Sequence, residues 1–393
     1  MERTGFLNRI HDQFTLYSIC EILGPRQVGK TTLAKQYAEK YFSGDAVFFD
    51  LERNSHEDRL KNPFITLTEI TETLIVIDEI QRMPELFKAL RVLVDEPGNK
   101  HRFLILGSAS PTIVKKSSES LTGRIGTIEL YPLSLGEVSD ISKLWMRGGF
   151  PRSYLAINED KSIEWREGYL RKFLEQDIPN LGYSIPPEQL RRFWNMLAFY
   201  HGQTFNASAL GNSLDLSDHT VRRYLDILAG TFMIRILTPW YENIQKRQVK
   251  TPKIYFKDSG LLHALIGIGG KNQLLNDPRL GAFWEGFALE EIIRIFQASP
   301  EECYYWGTAG NAELDLLLIK RGMRVGFEFK YGDSPKTTKS MHSALNDLSL
   351  DHLAVIYPGS EIYPLSDKIT AYGLQSIPTG IFQKKFPQQK WWL

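Results

Sequence analysis

Gly24-Pro25-Arg26-Gln27-Val28-Gly29-Lys30-Thr31 follows an apolar run, residues 18–23, and leads into a helix-like stretch, residues 31–38. The spacing is GxxxxGK[ST] without a gap. A glycine-rich turn between a strand and a helix lets backbone N–H groups curl around a phosphate, and the helix N-terminus adds positive potential. Gly24, Pro25, Arg26, Gln27, Val28, Gly29, Lys30, Thr31 and Thr32 are therefore the expected nucleotide-binding residues. Lys30 is expected to bridge the β- and γ-phosphates, and Thr31 to ligate Mg²⁺. The bland alternative, a glycine turn beside a surface lysine, does not account for the flanking strand and helix.

Downstream, Leu74-Ile75-Val76-Ile77 runs into Asp78-Glu79. Four apolar residues ending in two acids describe a buried parallel strand with carboxylates at its ligand-binding end. Asp78 is expected in the Mg²⁺ shell, and Glu79 as the base that orients and deprotonates the attacking water. The chain contains no Asn-Lys-x-Asp, so ATP is expected rather than GTP. Residues 103–106 form another apolar run, ending at Gly107-Ser108. In ATPases with a strand between the two motif-bearing strands, a polar residue there polarises the water or the γ-phosphate. Ser108 is the candidate and Ser110 the reserve, weighed against an ordinary turn serine. Leu121-Thr122-Gly123-Arg124 then offers Arg124 as an arginine finger, weighed against a surface arginine. Short apolar runs alternating with helical patterns from about residue 15 to 135 read as a parallel sheet with helical crossovers.

The chain has 393 residues, which predicts two or three domains. Hydrophobic residues make up 42% and charged residues 24%, so ordinary cores are expected and wholesale disorder is excluded. Lys and Arg number 47 against 46 Asp and Glu, which excludes a globally basic coat but not a local basic patch. Two distant cysteines, Cys20 and Cys303, make neither a disulfide framework nor a zinc site. No apolar run approaches a membrane span and the start has no signal-like core, so a cytoplasmic protein is expected.

Residues 141–280 read as mostly helical. Within them, 203–240 reads as helix, turn, helix, strand. Residues 206–211 supply the first helix and its turn. Ser217 is a candidate N-cap for residues 218–228, and Val221, Leu225 and Leu228 share one face. This resembles a winged helix-turn-helix, whose second helix can enter a major groove. His219, Arg222 and Arg223 point away from the apolar stripe. Residues 203–257 hold eight Lys and Arg against four Asp and Glu. Lys246, Arg247, Lys250 and Lys253 follow the supposed wing and suit phosphate contact. The alternative is a winged helix used for scaffolding or protein contacts.

From residue 281 a helix precedes two strand-like segments, 312–319 and 323–330. If Arg321-Gly322 is a two-residue turn, Lys320 pairs with Met323 and Asp315 lies opposite Glu328. Like charges directly opposite destabilise a sheet. Two acids so placed call for a cation, and Mg²⁺ suits carboxylate oxygens. Lys330 would orient a hydrolytic water, and Glu285 on the helix would add a ligand. Helix Glu, Asp, then Glu-x-Lys resembles the restriction-endonuclease-like nucleases. The alternative is an inert member of that fold with surface charges on a hairpin.

The whole chain resembles a prokaryotic family of AAA-type P-loop ATPases with a C-terminal domain of unknown function of restriction-endonuclease-like fold. The carrying phrases are the phosphate loop, Ile77-Asp78-Glu79-Ile80-Gln81, Leu121-Thr122-Gly123-Arg124 and Tyr131-Pro132-Leu133-Ser134. Gly148-Gly149-Phe150-Pro151, Asp258-Ser259-Gly260-Leu261, Glu313-Leu314-Asp315 and Glu328-Phe329-Lys330 follow in order. The resemblance implies ATP binding, hydrolysis and a cytoplasmic location, and no settled biological role. It departs from the family in its short segment before the first strand, which leaves the adenine contacts unassigned. The expected organisation is α/β: a parallel-sheet ATPase domain (1–140), a helical winged-helix region (141–280) and a small restriction-endonuclease-like domain (281–393). Two readings follow. One is an ATPase, acting as a homo-oligomer if Arg124 works in trans, that controls DNA binding or processing. The other is a non-cleaving nucleotide switch or scaffold that binds protein partners.

Overall fold

The computed structural model describes residues 1–108 and 121–379, and Ser110 lies outside them. The chain forms two compact units, Met1–Pro132 with Ile227–Met233, and Leu133–Asp226 with Ile234–Leu393. The expected helical region and C-terminal domain thus fall largely within the second.

The first unit is built on five parallel strands: β1 (Ile19–Leu23), β2 (Ala46–Asp50), β3 (Leu74–Asp78), β4 (Arg102–Gly107) and β5 (Ile125–Glu129). Their order is β2-β3-β4-β1-β5, so β4 lies between the strands that carry the two motifs. Side chains alternate across a strand, so apolar runs supply both faces. Cys20, Ile22, Val76, Leu104 and Leu106 enter one core with the helices Thr4–Leu16 and Lys30–Phe42. Ile19, Ile75, Ile77, Phe103 and Ile105 enter the other with Leu86–Asp95. The segment before β1, short as it is, is a helix.

The helix Pro187–Ala198 of the second unit is followed by β6 (Gln203–Thr204), the helix Ala207–Leu214, the helix Asp218–Gly230, whose last turn from Ile227 falls in the first unit, and strands β7 (Ile234–Leu237) and β8 (Lys253–Phe256). The strands form an antiparallel sheet in the order β6-β8-β7. Asn206 caps the first of the paired helices through Ala209 N–H, and the Ser217 hydroxyl accepts from Thr220 N–H. Asp215, at φ 57°, makes the turn between them.

The helix Leu280–Ile295 leads to β9 (Cys303–Gly307), β10 (Glu313–Lys320), β11 (Met323–Phe329), the helix Lys339–Asp347, β12 (His352–Tyr357), β13 (Ile362–Ser366) and β14 (Ile369–Gly373). The mixed sheet runs β13-β14-β12-β11-β10-β9. Arg321 and Gly322, at φ 49° and 85°, make the two-residue turn, and Lys320 pairs with Met323. Leu316 pairs with Phe327, so the next step of the ladder sets Asp315 opposite Glu328.

Two of the family phrases clasp each other inside this unit. Buried Asp258 accepts from Gly149 N–H at 2.8 Å and from Leu261 N–H at 2.9 Å. A Cβ on Gly149 would collide with the Leu133 backbone. Nearby, fully buried Glu291 accepts from Leu135 N–H at 2.7 Å and pairs with Arg294 at 2.7 Å.

Candidate functional site

β1 stops at Leu23 and the chain turns through Gly24–Gly29 into the helix Lys30–Phe42. Gly29 sits at the helix cap with φ 103°, a conformation that side chains disfavour. The loop is anchored from below by Val28, which is fully buried. It is also anchored by Arg3, whose guanidinium donates to the Val28 carbonyl at 3.4 Å and the Tyr131 carbonyl at 2.9 Å. Arg26 stands 3.4 Å from Glu52. The buried Lys30 ammonium donates to the Gly24 and Pro25 carbonyls at 2.9 and 3.0 Å, which holds it against the loop. Thr32 is exposed on the first turn of the helix.

The Thr31 hydroxyl donates to Asp78 Oδ2 at 2.6 Å, joining the two motifs. Burial raises the Asp78 carboxyl above its ordinary value, opposed by the Thr31 hydrogen bond and the nearby Lys30 charge. A hydroxyl and a carboxylate side by side are the oxygen donors that Mg²⁺ takes, so these residues fit that ion. Glu79 follows at φ 58°, in the left-handed region, where a non-glycine residue is strained. Its Oε2 accepts from the Ser108 hydroxyl at 3.0 Å and from the Gln81 amide, which also donates to Ser108 at 2.9 Å. Ser108 thus addresses Glu79 directly. Gln81 was assigned no role from the sequence, although it closes the phrase Ile77–Gln81.

Arg124 lies elsewhere. It precedes β5, and Ile125 is level with Ile19, at the start of β1, whereas the phosphate loop leaves the other end of β1. It is paired with Asp95 through two contacts of 2.7 and 2.8 Å. It therefore cannot reach a phosphate held by its own loop.

A parallel sheet with β4 between the motif strands, a phosphate loop, and Thr31, Asp78 and Glu79 at the strand ends define an AAA-type P-loop ATPase. A family model described as "AAA domain" matches residues 17–139. Two described as "Domain of unknown function" match residues 138–272 (DUF8612) and 280–377 (DUF4143). The chain belongs to the family of "Uncharacterized protein Rv2008c" of Mycobacterium tuberculosis and "Uncharacterized protein Mb2031c" of Mycobacterium bovis. It is 47% identical to each over 381 residues, 96% of this chain and 85% of each relative. Solved structures similar to it include "The walker-type atpase paby2304 of pyrococcus abyssi", with TM-score 0.47, 13% identity and coverage of 67% of this chain and 95% of that one. Another is a point variant of RuvB from Thermotoga maritima, with TM-score 0.29, 17% identity and coverage of 60% and 87%.

In the second unit, Glu285, Asp315, Glu328 and Lys330 are brought into one cluster, in which Asp315 and Glu328 are buried and Lys330 is half-exposed, joined by residues the sequence reading had not placed there. Lys330 pairs with Glu328 at 2.7 Å and approaches Asp315 Oδ2 at 3.8 Å. Phe329 N–H donates to the same Asp315 oxygen at 3.0 Å. On the other side stands Lys253, against Glu313, with Glu285 at 3.4 Å and Asp315 Oδ1 at 4.0 Å. The Tyr255 hydroxyl donates to Glu285 at 2.5 Å.

This corrects the placing of Lys253 among the basic residues open to phosphate. Lys253 is 3% exposed, because β8 is the central strand of its sheet and is buried on both faces, Lys253 and Tyr255 sharing one of them. Arg222, Arg223, Arg247 and Lys250 are exposed, and Lys246 pairs with Asp347 at 2.6 Å.

Burial, reinforced by Asp315, lifts Glu285 to about 7 and Glu328 to about 8. Burial alone would lower Lys253, but Tyr255, Glu285, Asp315 and Glu313 push it well above its ordinary value. The cluster is thus compensated by two ammonium groups and by the proton affinity of Glu285 and Glu328. Among the described residues no group of three or more His, Cys, Asp and Glu side chains is disposed to hold a metal ion. The cluster does not fit the divalent cation expected from the hairpin register. Among the described residues no helix is long and apolar enough to cross a membrane.

Proposed function

We propose that the protein is a Mg²⁺-dependent ATPase whose nucleotide state governs DNA contact by a winged helix in its middle region. The observation that carries this is the convergence of Lys30, Thr31, Asp78 and Glu79 at one end of the parallel sheet. Lys30 takes the β- and γ-phosphates, and the loop N–H groups and helix N-terminus hold the anion. Thr31 and Asp78 hold Mg²⁺, which supplies charge neutralisation on the phosphates. Glu79, oriented by Ser108 and Gln81, takes the proton of the attacking water. Arg124 serves a neighbouring copy's nucleotide, after exchanging Asp95 for that phosphate. A reducing, cytoplasmic setting suits the free buried thiols Cys20 and Cys303.

Helix, strand, two helices and two strands in the order β6-β8-β7 support the winged-helix reading. Exposed Arg222 and Arg223 on the second of the paired helices, with Arg247 and Lys250, are the phosphate contacts. Helix, three antiparallel strands, helix and a strand parallel to the third support a restriction-endonuclease-like core at the C-terminus. For that domain the buried Lys253 favours the reading in which it cuts nothing.

The test combines ATP turnover with DNA affinity titrated against salt in ATP and in ADP. Turnover is expected to vanish in Lys30→Ala, and affinity to differ between the two nucleotides. Arg222→Ala/Arg223→Ala should flatten the salt slope by about two units, one per lost phosphate contact. Parallel slopes, or no affinity in the parent at low salt, would reject the DNA reading and favour protein partners.

A further inference from the structure

Lys330 serves the Asp315–Glu328 pair from one side, and the acids on the other side, Glu285 and Glu313 with Asp315 Oδ1, face a second cation. Lys253 comes from β8, the middle strand of its sheet, paired on one side with Thr204 and on the other with Leu237. Its backbone cannot withdraw without breaking ladders on both sides. Its ammonium group lies among Glu313, Glu285 and Asp315, and 5.5 Å over the Tyr305 ring of β9. Both Asp315 oxygens are engaged, Oδ1 facing Lys253, and Oδ2 taking Phe329 N–H and facing Lys330. Tyr255, two residues along the same face of β8, adds a hydrogen bond to Glu285.

We propose that Lys253 is the resident cation of this cluster, a pin that fastens the three-stranded sheet of the middle region to the β10–β11 hairpin in place of a divalent ion. The inference deepens the non-cleaving reading of the C-terminal domain and rests on it. The acids that resemble a nuclease site form a socket. The middle and C-terminal regions then move as one piece, and a force applied to the winged helix passes through β8 into the hairpin.

The experiment is thermal unfolding of the full chain without nucleotide, in EDTA and in excess Mn²⁺. The variants are Lys253→Met, Asp315→Asn and the triple variant Lys253→Met/Glu285→Gln/Glu313→Gln. Removing one partner of a buried ion pair leaves uncompensated charge. Lys253→Met should therefore lower the midpoint by on the order of 10 °C. The triple variant should recover most of that loss, because the two acids in contact with Lys253 are gone and Asp315 keeps Lys330. Mn²⁺ should not raise the parent's midpoint through this cluster. If Lys253→Met does not fold, the triple variant decides: recovery supports the pin, and no recovery overturns it. An unchanged midpoint in Lys253→Met, or a Mn²⁺ stabilisation of the parent that Asp315→Asn abolishes, would also overturn it. Incubating the parent with DNA and Mn²⁺ separates the two levels. Cleavage lost in Asp315→Asn sinks both the pin and the non-cleaving reading, whereas no cleavage with an unchanged Lys253→Met midpoint sinks the pin alone.

Discussion

Replacing Glu21 with Gln should stabilise the nucleotide-binding sheet at alkaline pH and leave it nearly unaffected at acid pH. Glu21 sits in the middle of β1, between Ile105 of β4 and Thr127 of β5, and is 6% exposed. Burial raises its carboxyl from near 4.5 to about 7, and a hydrogen bond from Thr127 at 3.2 Å opposes this only in part. The folded affinity for the proton exceeds the unfolded one. Between about pH 4.5 and 7 the folded chain therefore keeps a proton that the unfolded chain has lost, and stability falls as pH rises through that window. A tenfold difference in proton affinity is worth about 1.4 kcal/mol, so ionising Glu21 in place costs about 3 kcal/mol by pH 8. Gln keeps an oxygen for Thr127 and carries no charge, so the variant should gain most of that amount at pH 8. Amide exchange of the β1 and β4 backbone reads the opening free energy of the sheet. Measured at pH 5 and pH 8, the difference between variant and parent should grow with pH. A constant difference, or a variant less stable at pH 8, would refute the assignment of a buried, proton-retaining acid to β1.

Glu79→Gln should still bind ATP and turn it over about 10²–10⁴ times more slowly, since the amide keeps the shape and loses the base; nucleotide affinity with single-turnover kinetics checks it, and parental turnover moves the base elsewhere. Ser108→Ala should slow hydrolysis about tenfold with ATP affinity intact, because Glu79 loses a hydrogen bond to its carboxylate; a change confined to affinity would place Ser108 on the phosphate instead. Arg124→Ala should abolish a rise in specific activity with protein concentration, costing about 10³ in turnover. Specific activity flat across dilution in the parent counts against action in trans.

The first sheet was legible because its two motifs are local. Gly24–Thr31 and Leu74–Glu79 each fit within one strand-to-loop step, and a strand between them follows from the run 103–106. The hairpin register was legible for the same reason, since a two-residue turn counts outward without ambiguity. The destination of Lys253 was not. It stands in a basic stretch, and its acids lie 32 to 62 residues downstream. The run Ile254-Tyr255-Phe256 that it opens, apolar on both faces, was the available signal, and it points at burial rather than at phosphate. Arg3 gave less warning still, because the groups it holds under the loop are backbone carbonyls, which carry no side-chain identity. Arg124 read as an arginine finger or a surface arginine, and only the level pairing of Ile19 with Ile125 reveals that it enters β5 at the end of the sheet away from its own phosphate loop.

The clasp of Asp258 on Gly149, and of Glu291 on Leu135, has a bearing on synthesis. The five-stranded sheet has its last strand once residue 129 has been made. The turn around Leu135 and Gly149 waits 156 and 109 residues, respectively, for the carboxylates that satisfy its N–H groups. At about 5–20 residues per second that is on the order of ten seconds on the ribosome. During that interval the phosphate loop's sheet is complete in sequence while this turn's polar groups face water. A chain interrupted between residues 150 and 257 would lack the clasp altogether and leave Gly149 and its neighbours exposed to proteases.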